Sequence, residues 1–278
     1  MDWWEAILLG AVEGFTEFLP ISSTGHLTIL ERLLGYSTTD PDITAFTAII
    51  QVGAVAATLL FLRHDIVRLL RAWLRGLKSP TDRAANDYRF AWAVILGSIP
   101  IAIVGLAFKE EIETTLRSLW FVGVALILWS GVMWFADSRA TQRRHESDIT
   151  WRDTLIIGIV QCLALVPGVS RSGATMSAGL LREIDRVAVT RLSFFLAIPA
   201  LTGAAILQTI SEFDNIASGV GWGPTILATL VSFAVAFVAV TWLLRYIARH
   251  NYSIFIIYRV ALGAFVLALV ASGAVAPT

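Results

Sequence analysis

Charged residues are scarce in this sequence, and neither sign predominates. Only 15% of the 278 residues are charged, and 21 Lys and Arg balance 21 Asp and Glu. A net charge of zero gives no reason to expect a polyanionic partner such as nucleic acid. The single cysteine, Cys162, excludes an intrachain disulfide and lies in an apolar run, where we expect a small packing residue.

The N-terminal apolar run lacks the features of a cleavable signal peptide. No basic residue precedes it, and it contains Glu5, Glu13 and Glu17. We therefore expect the chain to insert intact.

Long apolar stretches dominate the rest of the sequence. Hydrophobic residues make up 56% of the chain and the mean hydropathy is +0.72, outside the soluble range. Stretches long enough to span a bilayer lie near 43–62, 90–108, 119–136, 190–210, 224–244 and 253–272. Tryptophans near the ends of apolar runs fit interfacial belts, although packing between helices explains any one of them equally well: Trp3, Trp4, Trp120, Trp151 and Trp222. The sequence predicts an all-α polytopic membrane protein.

The charges between these stretches predict the topology. Basic residues are concentrated in the connections 63–89 and 137–152, and in Arg182, Arg186, Arg191, Arg245 and Arg249, which the positive-inside rule places in the cytoplasm. The other connections are acidic and are expected outside: Asp40 and Asp42; Glu110, Glu111 and Glu113; Glu212 and Asp214. A nucleic-acid or headgroup patch would explain one basic loop, whereas the positive-inside rule explains all of them together.

Counting the crossings leaves two segments that begin and end on the same side. Residues 1–40 begin and end outside and residues 152–189 begin and end inside, so each segment must be re-entrant. Helices over 3–19 and 154–166 would be roughly 25 Å and roughly 20 Å long, short of a bilayer core of about 30 Å. The chain then forms one membrane domain, 1–278, with two repeat units, about 1–140 and about 150–278. Because each unit has three spans, an odd number, the second unit is inverted relative to the first. A weak echo at an offset of 148 matches Gly10 with Gly158, Val12 with Val160, Ser22 with Ser170 and Gly25 with Gly173.

Each re-entrant segment contains a loop rich in Ser and Gly, at 20–26 and 167–173. Ser22 or Ser23 can cap a helix that starts near Thr24, and Ser170 or Ser172 can do the same in the second loop. Helix N-termini bind anions, and Arg171 adds a planar fork suited to phosphate. Broken helices of an inverted repeat meet near the midplane, which predicts a phosphate or pyrophosphate site there.

Other side chains near the first loop could add chemistry to this site. Glu13 and Glu17 share one helix face and suit a divalent metal or acid–base work. The spacing of Ser23 and His26 lets an imidazole reach the hydroxyl and activate it. Three plainer interpretations remain open: a hydrogen-bonded histidine in a polar pocket, glutamates facing water, and Arg171 as a counter-charge for Glu13 or Glu17.

The motifs at these positions resemble the bacterial undecaprenyl-pyrophosphate phosphatase family, the type linked to bacitracin resistance. The stretch from Glu13 to His26 is similar to the family's glutamate-rich motif and its serine-histidine continuation, and 167–175 is similar to its arginine motif. Residues 50–54 and 194–200 also look familial, and the likeness covers nearly the whole chain.

The resemblance implies removal of the terminal phosphate from undecaprenyl pyrophosphate, which recycles the lipid carrier of cell-wall synthesis. It implies a site open to the outer face of the plasma membrane and help from a divalent cation, Mg²⁺ or Ca²⁺. Carried over by position, Ser23 is the nucleophile, His26 lies beside it, Glu17 orients or activates it, and Arg171 grips the pyrophosphate. Glu13 holds metal or pyrophosphate, Glu17 is a second candidate metal ligand, and the remaining expected substrate contacts are Ser22, Thr24, Gly25, Ser170, Ser172, Gly173 and Thr175.

Other functions remain compatible with the residues. The runner-up is a carrier or flippase for a polyprenyl phosphate, which needs the anion site but no reacting serine. A metal or proton transporter leaves the two loops unexplained, and an intramembrane serine protease leaves Arg171 unexplained. The sequence does not fix the oligomeric state, and a homodimer is one assembly that it leaves open.

Overall fold

The computed structural model describes residues 1–37, 40–108 and 118–277, except for the side chain of Asp214. Glu110, Glu111 and Glu113, expected outside, lie beyond the described residues. Within these ranges the chain is α-helical and contains no β-strand, apart from an isolated bridge between Arg144 and Ile184. The helices are α1 Trp3–Thr16, α2 Ser23–Leu33, α3 Pro41–Phe61, α4 Arg63–Lys78, α5 Asn86–Ala107, α6 Leu119–Ser138, α7 Trp151–Gln161, α8 Arg171–Leu181, α9 Arg186–Ser211, α10 Phe213–Ser218, α11 Trp222–Ile247 and α12 Ser253–Ala271.

Within the described ranges, six helices are long and apolar enough to cross a membrane, and they coincide with the six predicted stretches. They are α3, α5, α6, α9, α11 and α12, each of 19 to 26 residues. Their outward surfaces remain apolar: Ile103, Leu128, Val238 and Ile257 are each more than 60% exposed. In water such a surface would be costly, whereas lipid chains cover it. The prediction of an all-α, multi-pass membrane protein is confirmed.

Two short helices lie within the segments that are predicted to be re-entrant. Helix α1 ends at Thr16, and α7 begins at Trp151, where Thr150 and Asp153 form a capping box. Helix α1 has 14 residues and ends earlier than the predicted helix over 3–19. Helix α7 has 11 residues, and it begins and ends earlier than the predicted helix over 154–166. The reason is that the chain turns after Thr16, and that a 3₁₀ turn, Cys162–Leu165, continues α7. Cys162 is half-buried in this turn.

Glycines allow both short helices to approach a long span closely. In α1, a Cβ on Gly10 or Gly14 would lie 2.3 Å from a backbone oxygen of α11. In α7, a Cβ on Gly158 would lie 2.0 Å from the carbonyl oxygen of Gly97 in α5. Each short helix therefore packs on the second long span of the other half of the chain. The packing of the two short helices is alike in the two halves, while the repeat and the inversion of its second unit stay predictions.

The basic connections are more structured than the charge pattern alone predicts. Residues 63–78 of the first connection form an amphipathic helix, α4, which packs on α5 through an edge contact of Trp73 with Trp92. The 137–152 connection is tied to α7 and α8 by Asp153, which accepts hydrogen bonds from Arg144 at 3.0 and 2.5 Å and from Arg182 at 2.9 Å. Burial raises the pKa of Asp153, but the hydrogen bonds from Arg144, Thr150 and Arg182 outweigh it and hold the pKa well below its usual range.

Candidate active site

The two predicted loops meet and are joined by direct hydrogen bonds. The backbone N–H of Gly168 donates to Ser22 Oγ at 3.1 Å, and Ser172 Oγ donates to the carbonyl oxygen of Leu19 at 2.8 Å. Ser22 and Ser172 are both buried. Because each loop satisfies polar atoms of the other, neither can move away without leaving buried groups unpaired.

Ser22 and Ser170 cap the helices that follow the loops. The capping residues are therefore Ser22 rather than Ser23, and Ser170 rather than Ser172. Ser22 Oγ accepts from Gly25 N at 3.3 Å, and Ser170 Oγ accepts from Gly173 N at 3.2 Å. Both serines adopt left-handed backbone conformations, with φ of 74° and 77°. Such conformations cost about 1–3 kcal/mol in a residue with a side chain and recur at functional sites. The caps leave Ser23 and Arg171 as the first residues of α2 and α8.

Ser23, Glu17 and Arg171 form a chain of contacts across the junction of the loops. Ser23 Oγ donates to Glu17 Oε2 at 2.5 Å, and Arg171 Nη2 donates to Glu17 Oε1 at 3.2 Å. The carboxylate and the guanidinium are each less than one tenth exposed. The guanidinium also lies over the Phe18 ring, 5.4 Å from its centroid. Arg171 is thus the counter-charge of Glu17, as one of the open alternatives proposed, and Glu17 orients Ser23 at the same time.

A cavity of about 210 Å³ gives a ligand access to Ser23. Glu13 and Thr24 line it, as does Pro167 from the second loop. Four polar residues of α3 and α9 that were not predicted as site residues also line it: Thr44, Thr47, Gln51 and Gln208. Two larger cavities, of about 950 and 570 Å³, lie among the basic connections and do not include Ser23. The smaller cavity is therefore the one relevant to chemistry at the loops.

His26 does not make the predicted contact with the Ser23 hydroxyl. Its Nδ1 lies 2.7 Å from the carbonyl oxygen of Ser22, and its Nε2 lies 2.7 Å from the hydroxyl of Tyr258, on which the imidazole stacks. A carbonyl oxygen only accepts, so Nδ1 carries the proton and Nε2 accepts from Tyr258. The prediction failed because a first-turn imidazole can bond back to the capping residue's carbonyl. Glu17, six positions before Ser23, occupies the place expected for a base.

Several residues expected to contact the substrate instead hold the two loops and the helices that follow them. Thr175 Oγ1 donates to Ser193 Oγ at 2.7 Å, and Ser172 Oγ lies 3.1 Å from Ser170 Oγ. Gly25 and Gly173 are buried, and their N–H groups serve the caps. Of the predicted site residues, Glu13, Ser23 and Thr24 line the cavity.

Arg259, in the last long span, is a further site residue that the motifs do not reveal. It is 0% exposed and contacts both loops. Its guanidinium donates to the carbonyl oxygens of Pro20 at 3.3 Å, Gly168 at 2.8 Å and Val169 at 3.0 Å, and to Ser130 Oγ at 3.1 Å. The sequence feature that could have identified it is an arginine inside an apolar stretch. A charge is costly to bury there, so such a residue usually has a functional or structural role.

The donor set does not form a complete metal site in the protein. Among the described residues, no group of three or more His, Cys, Asp or Glu side chains could hold an ion. Both oxygens of Glu17 already accept hydrogen bonds, which leaves Glu13 as the carboxylate on the cavity. One carboxylate fits the way Mg²⁺ binds between a protein and substrate phosphates.

The comparisons with known proteins identify the family. The family model described as "Bacitracin resistance protein BacA" matches residues 6–265. The chain is 72% identical to "Undecaprenyl-diphosphatase 3" of Frankia casuarinae over 99% of both chains, and 52% identical to "Undecaprenyl-diphosphatase" of Cutibacterium acnes over 99% of both chains. It is 51% identical to "Undecaprenyl-diphosphatase 1" of Streptomyces avermitilis over 97% of this chain and 96% of that one. The resemblance of the motifs is confirmed, and the chain belongs to the bacitracin resistance protein BacA family.

Proposed function

We propose that this protein is a membrane phosphatase that hydrolyses undecaprenyl diphosphate to undecaprenyl phosphate and inorganic phosphate. The reaction recycles the lipid carrier of cell-wall synthesis. The relatives are named for this activity, and one contact carries the proposal at the level of structure: Ser23 Oγ donates to Glu17 Oε2 at 2.5 Å on the wall of a cavity. A hydroxyl held by a buried carboxylate is the arrangement of an activated nucleophile.

Ser23 attacks the terminal phosphorus of the diphosphate. A bond forms from Oγ to phosphorus while the bond from phosphorus to the bridging oxygen breaks, and Glu17 takes the serine proton. Undecaprenyl phosphate leaves with the electron pair on its oxygen. Water then attacks the phosphorus of the phosphoserine while the bond from phosphorus to Oγ breaks. Glu17 returns its proton to Oγ, and both water protons stay on the inorganic phosphate.

Arg171 stabilises the negative charge that develops on the transferred phosphoryl group. Its guanidinium is charged, buried and already placed beside Glu17, so little reorganisation is needed when the diphosphate arrives. Its Nε is buried and has no hydrogen-bond partner among the described residues, so it would donate to a phosphate oxygen only when the diphosphate reaches the guanidinium.

His26 has a positioning role in this scheme. It bonds to the Ser22 carbonyl on one side and to Tyr258 on the other, so it fixes the backbone from which Ser23 projects. A neutral imidazole with both nitrogens engaged does not need to exchange protons with the substrate.

Glu13 would hold a Mg²⁺ or Ca²⁺ ion together with the diphosphate. The ion would supply charge neutralisation for phosphate oxygens. The isoprenoid tail stays among the apolar spans, and the site opens to the outer face of the plasma membrane, on the side where the acidic connections lie.

The direct test is release of inorganic phosphate from a polyprenyl diphosphate by the purified protein in detergent, with and without EDTA. Ser23→Ala should lose nearly all release, while Ser272→Ala, at an exposed position outside the motifs, should keep it. Release in wild type that persists in Ser23→Ala would remove the serine from the chemistry.

The same experiment separates the phosphatase from a carrier. A carrier binds the polyprenyl diphosphate at the same loops but releases no phosphate, so binding without turnover by folded wild-type protein would favour it.

A further inference from the structure

Helix α4 presents three different surfaces along its length. Asp65, Leu69, Ala72 and Gly76 recur at intervals of three and four and form the face turned to the protein. Leu69 is 7% exposed, and a Cβ on Gly76 would lie 2.3 Å from the Tyr88 ring of α5. This face fixes α4 against α5 and leaves two faces outward.

The first outward face is apolar. The residues Val67, Leu70, Leu74 and Leu77 follow the same spacing and are called here the apolar stripe; they are 42%, 51%, 45% and 44% exposed. Four large aliphatic side chains in a row on a helix form a continuous apolar surface. No residue in the described part of the chain covers this surface.

The second outward face is basic. The residues His64, Arg68, Arg71, Arg75 and Lys78 are also spaced at three and four and are called here the basic stripe. All of these residues except Lys78 line a cavity of about 570 Å³, together with Arg63, Val67, Ala72 and Asp87. Arg68 is paired with Asp65 and Asp87, whereas Arg71 and Arg75 have no ion pair within the described ranges.

We propose that α4 lies in the membrane interface and that its basic stripe binds the phosphodiester headgroups of anionic phospholipids. A helix with an apolar and a basic face side by side places the first among acyl chains and the second at headgroup level. The third face joins α4 to the spans, so the helix is held at this depth by the protein itself. Arg71 and Arg75 provide the unpaired charges that a headgroup phosphate neutralises. A nucleic acid or soluble acidic partner would leave the apolar stripe in water.

The test compares lipid binding by two pairs of charge-removing variants. Native mass spectrometry of the full chain in detergent, titrated with short-chain phosphatidylglycerol or phosphatidylcholine, gives an apparent affinity for each lipid. Arg71→Gln with Arg75→Gln should weaken phosphatidylglycerol binding roughly tenfold or more and leave phosphatidylcholine unchanged. Arg245→Gln with Arg249→Gln removes the same charge at another basic end, where both arginines are exposed, and should retain the affinity. Equal losses in both pairs, or no preference of wild type for phosphatidylglycerol, would overturn the proposal.

A second measurement tests the depth of the helix. In a Cys162→Ser background, an environment-sensitive fluorophore on Leu74→Cys in phosphatidylglycerol nanodiscs should emit as in an apolar medium and be quenched by brominated lipid chains. The same probe on Arg75→Cys should be quenched less. Water-like emission at position 74 would place the apolar stripe outside the membrane and contradict the proposal.

Discussion

Among the single residues, Glu17 links the reacting group to the charge that serves it. One carboxylate oxygen accepts from Ser23 and the other accepts from Arg171. In this buried site the guanidinium balances the negative charge of the carboxylate, and the carboxylate accepts the hydrogen bond of the serine hydroxyl. The two neighbours therefore depend on the same side chain, which makes Glu17 the most informative position to change.

Glu17→Gln should reduce turnover about 10²- to 10⁴-fold, because an amide accepts a hydrogen bond but takes no proton. The loss should appear mainly in kcat, since Arg171 remains in place to bind the diphosphate. The measurement is steady-state phosphate release beside Glu212→Gln, a change outside the loops. An unchanged kcat in Glu17→Gln would assign the base to another group.

Arg259 makes a separate prediction, because its buried guanidinium satisfies carbonyl oxygens in both loops. Arg259→Gln should cost about 3 kcal/mol of folding free energy and also lower activity, since Pro20, Gly168 and Val169 would lose a charged donor. Arg259→Lys keeps the charge but not the fork, and should recover stability only in part.

Thermal unfolding in detergent, together with phosphate release, tests this role. Arg245→Gln, an exposed change with the same loss of charge, is the control. Full stability and activity in Arg259→Gln would show that the loops do not need the guanidinium.

The sequence predicts which residues gather at the site better than it predicts their contacts. Spacing and motif resemblance bring Glu17, Ser23 and Arg171 together correctly. They do not predict that His26 bonds back to the Ser22 carbonyl, because that depends on the cap and on Tyr258, 232 positions away. Arg259 belongs to no motif, and its role depends on packing of α12 against the loops.

At the scale of elements, the position of the carboxylates depends on how closely α1 approaches α11. Gly14 follows Glu13 directly, and a Cβ there would lie 2.3 Å from the carbonyl oxygen of Ser232. A contact this short cannot be relieved by a side chain, because the obstacle is backbone. The helices must separate, and the cavity wall that Glu13 forms must move with them.

Gly14→Ala should therefore lower both stability and activity, by about 1–3 kcal/mol in folding free energy. The matched control is Gly131→Ala in α6, where an added Cβ has no atom within 4 Å and helix propensity favours alanine by up to about 1 kcal/mol. Melting temperature and phosphate release measure the two effects. Equal behaviour of the two variants would mean that α1 can shift without cost.

Elements differ in how far the sequence predicts them, for a physical reason. The six long helices follow from apolar length, which a bilayer requires of any span. Helix α4 is not predicted by hydropathy, since its mean composition is polar and only the spacing of its stripes reveals it. The ends of α1 and α7 depend on caps and a 3₁₀ turn, which local sequence specifies weakly.

At the scale of the whole molecule, Asp153 ties three segments together on one side of the bundle. It joins Arg144 of the 137–152 connection to α7 and to Arg182 at the end of α8. Its low pKa fixes the sign of the pH effect. A group whose pKa is lower in the folded state stabilises above its unfolded pKa, about 3.9, and loses that contribution as pH falls through the folded value.

Asp153→Asn should destabilise the protein by about 2–4 kcal/mol at pH 7, because two arginines lose a buried carboxylate. The difference in stability between wild type and Asp153→Asn should stay constant from pH 8 to pH 5 and should decrease only below about pH 4. Melting temperatures across this range test both statements. A difference that already disappears near pH 6 would show that another group controls the pH dependence.

The orientation of the molecule in the membrane is the remaining prediction, and it decides which face the cavity serves. The positive-inside rule places the connection 63–89 in the cytoplasm and α10 outside. In a Cys162→Ser background, Ala84→Cys and Ala217→Cys put single exposed thiols on these two sides. A membrane-impermeant maleimide should label Ala217→Cys in intact cells and Ala84→Cys only after permeabilisation. The reverse pattern would invert the topology and would open the Ser23 cavity toward the cytoplasm. The lipid diphosphate that is hydrolysed there would then have to arrive from the other leaflet.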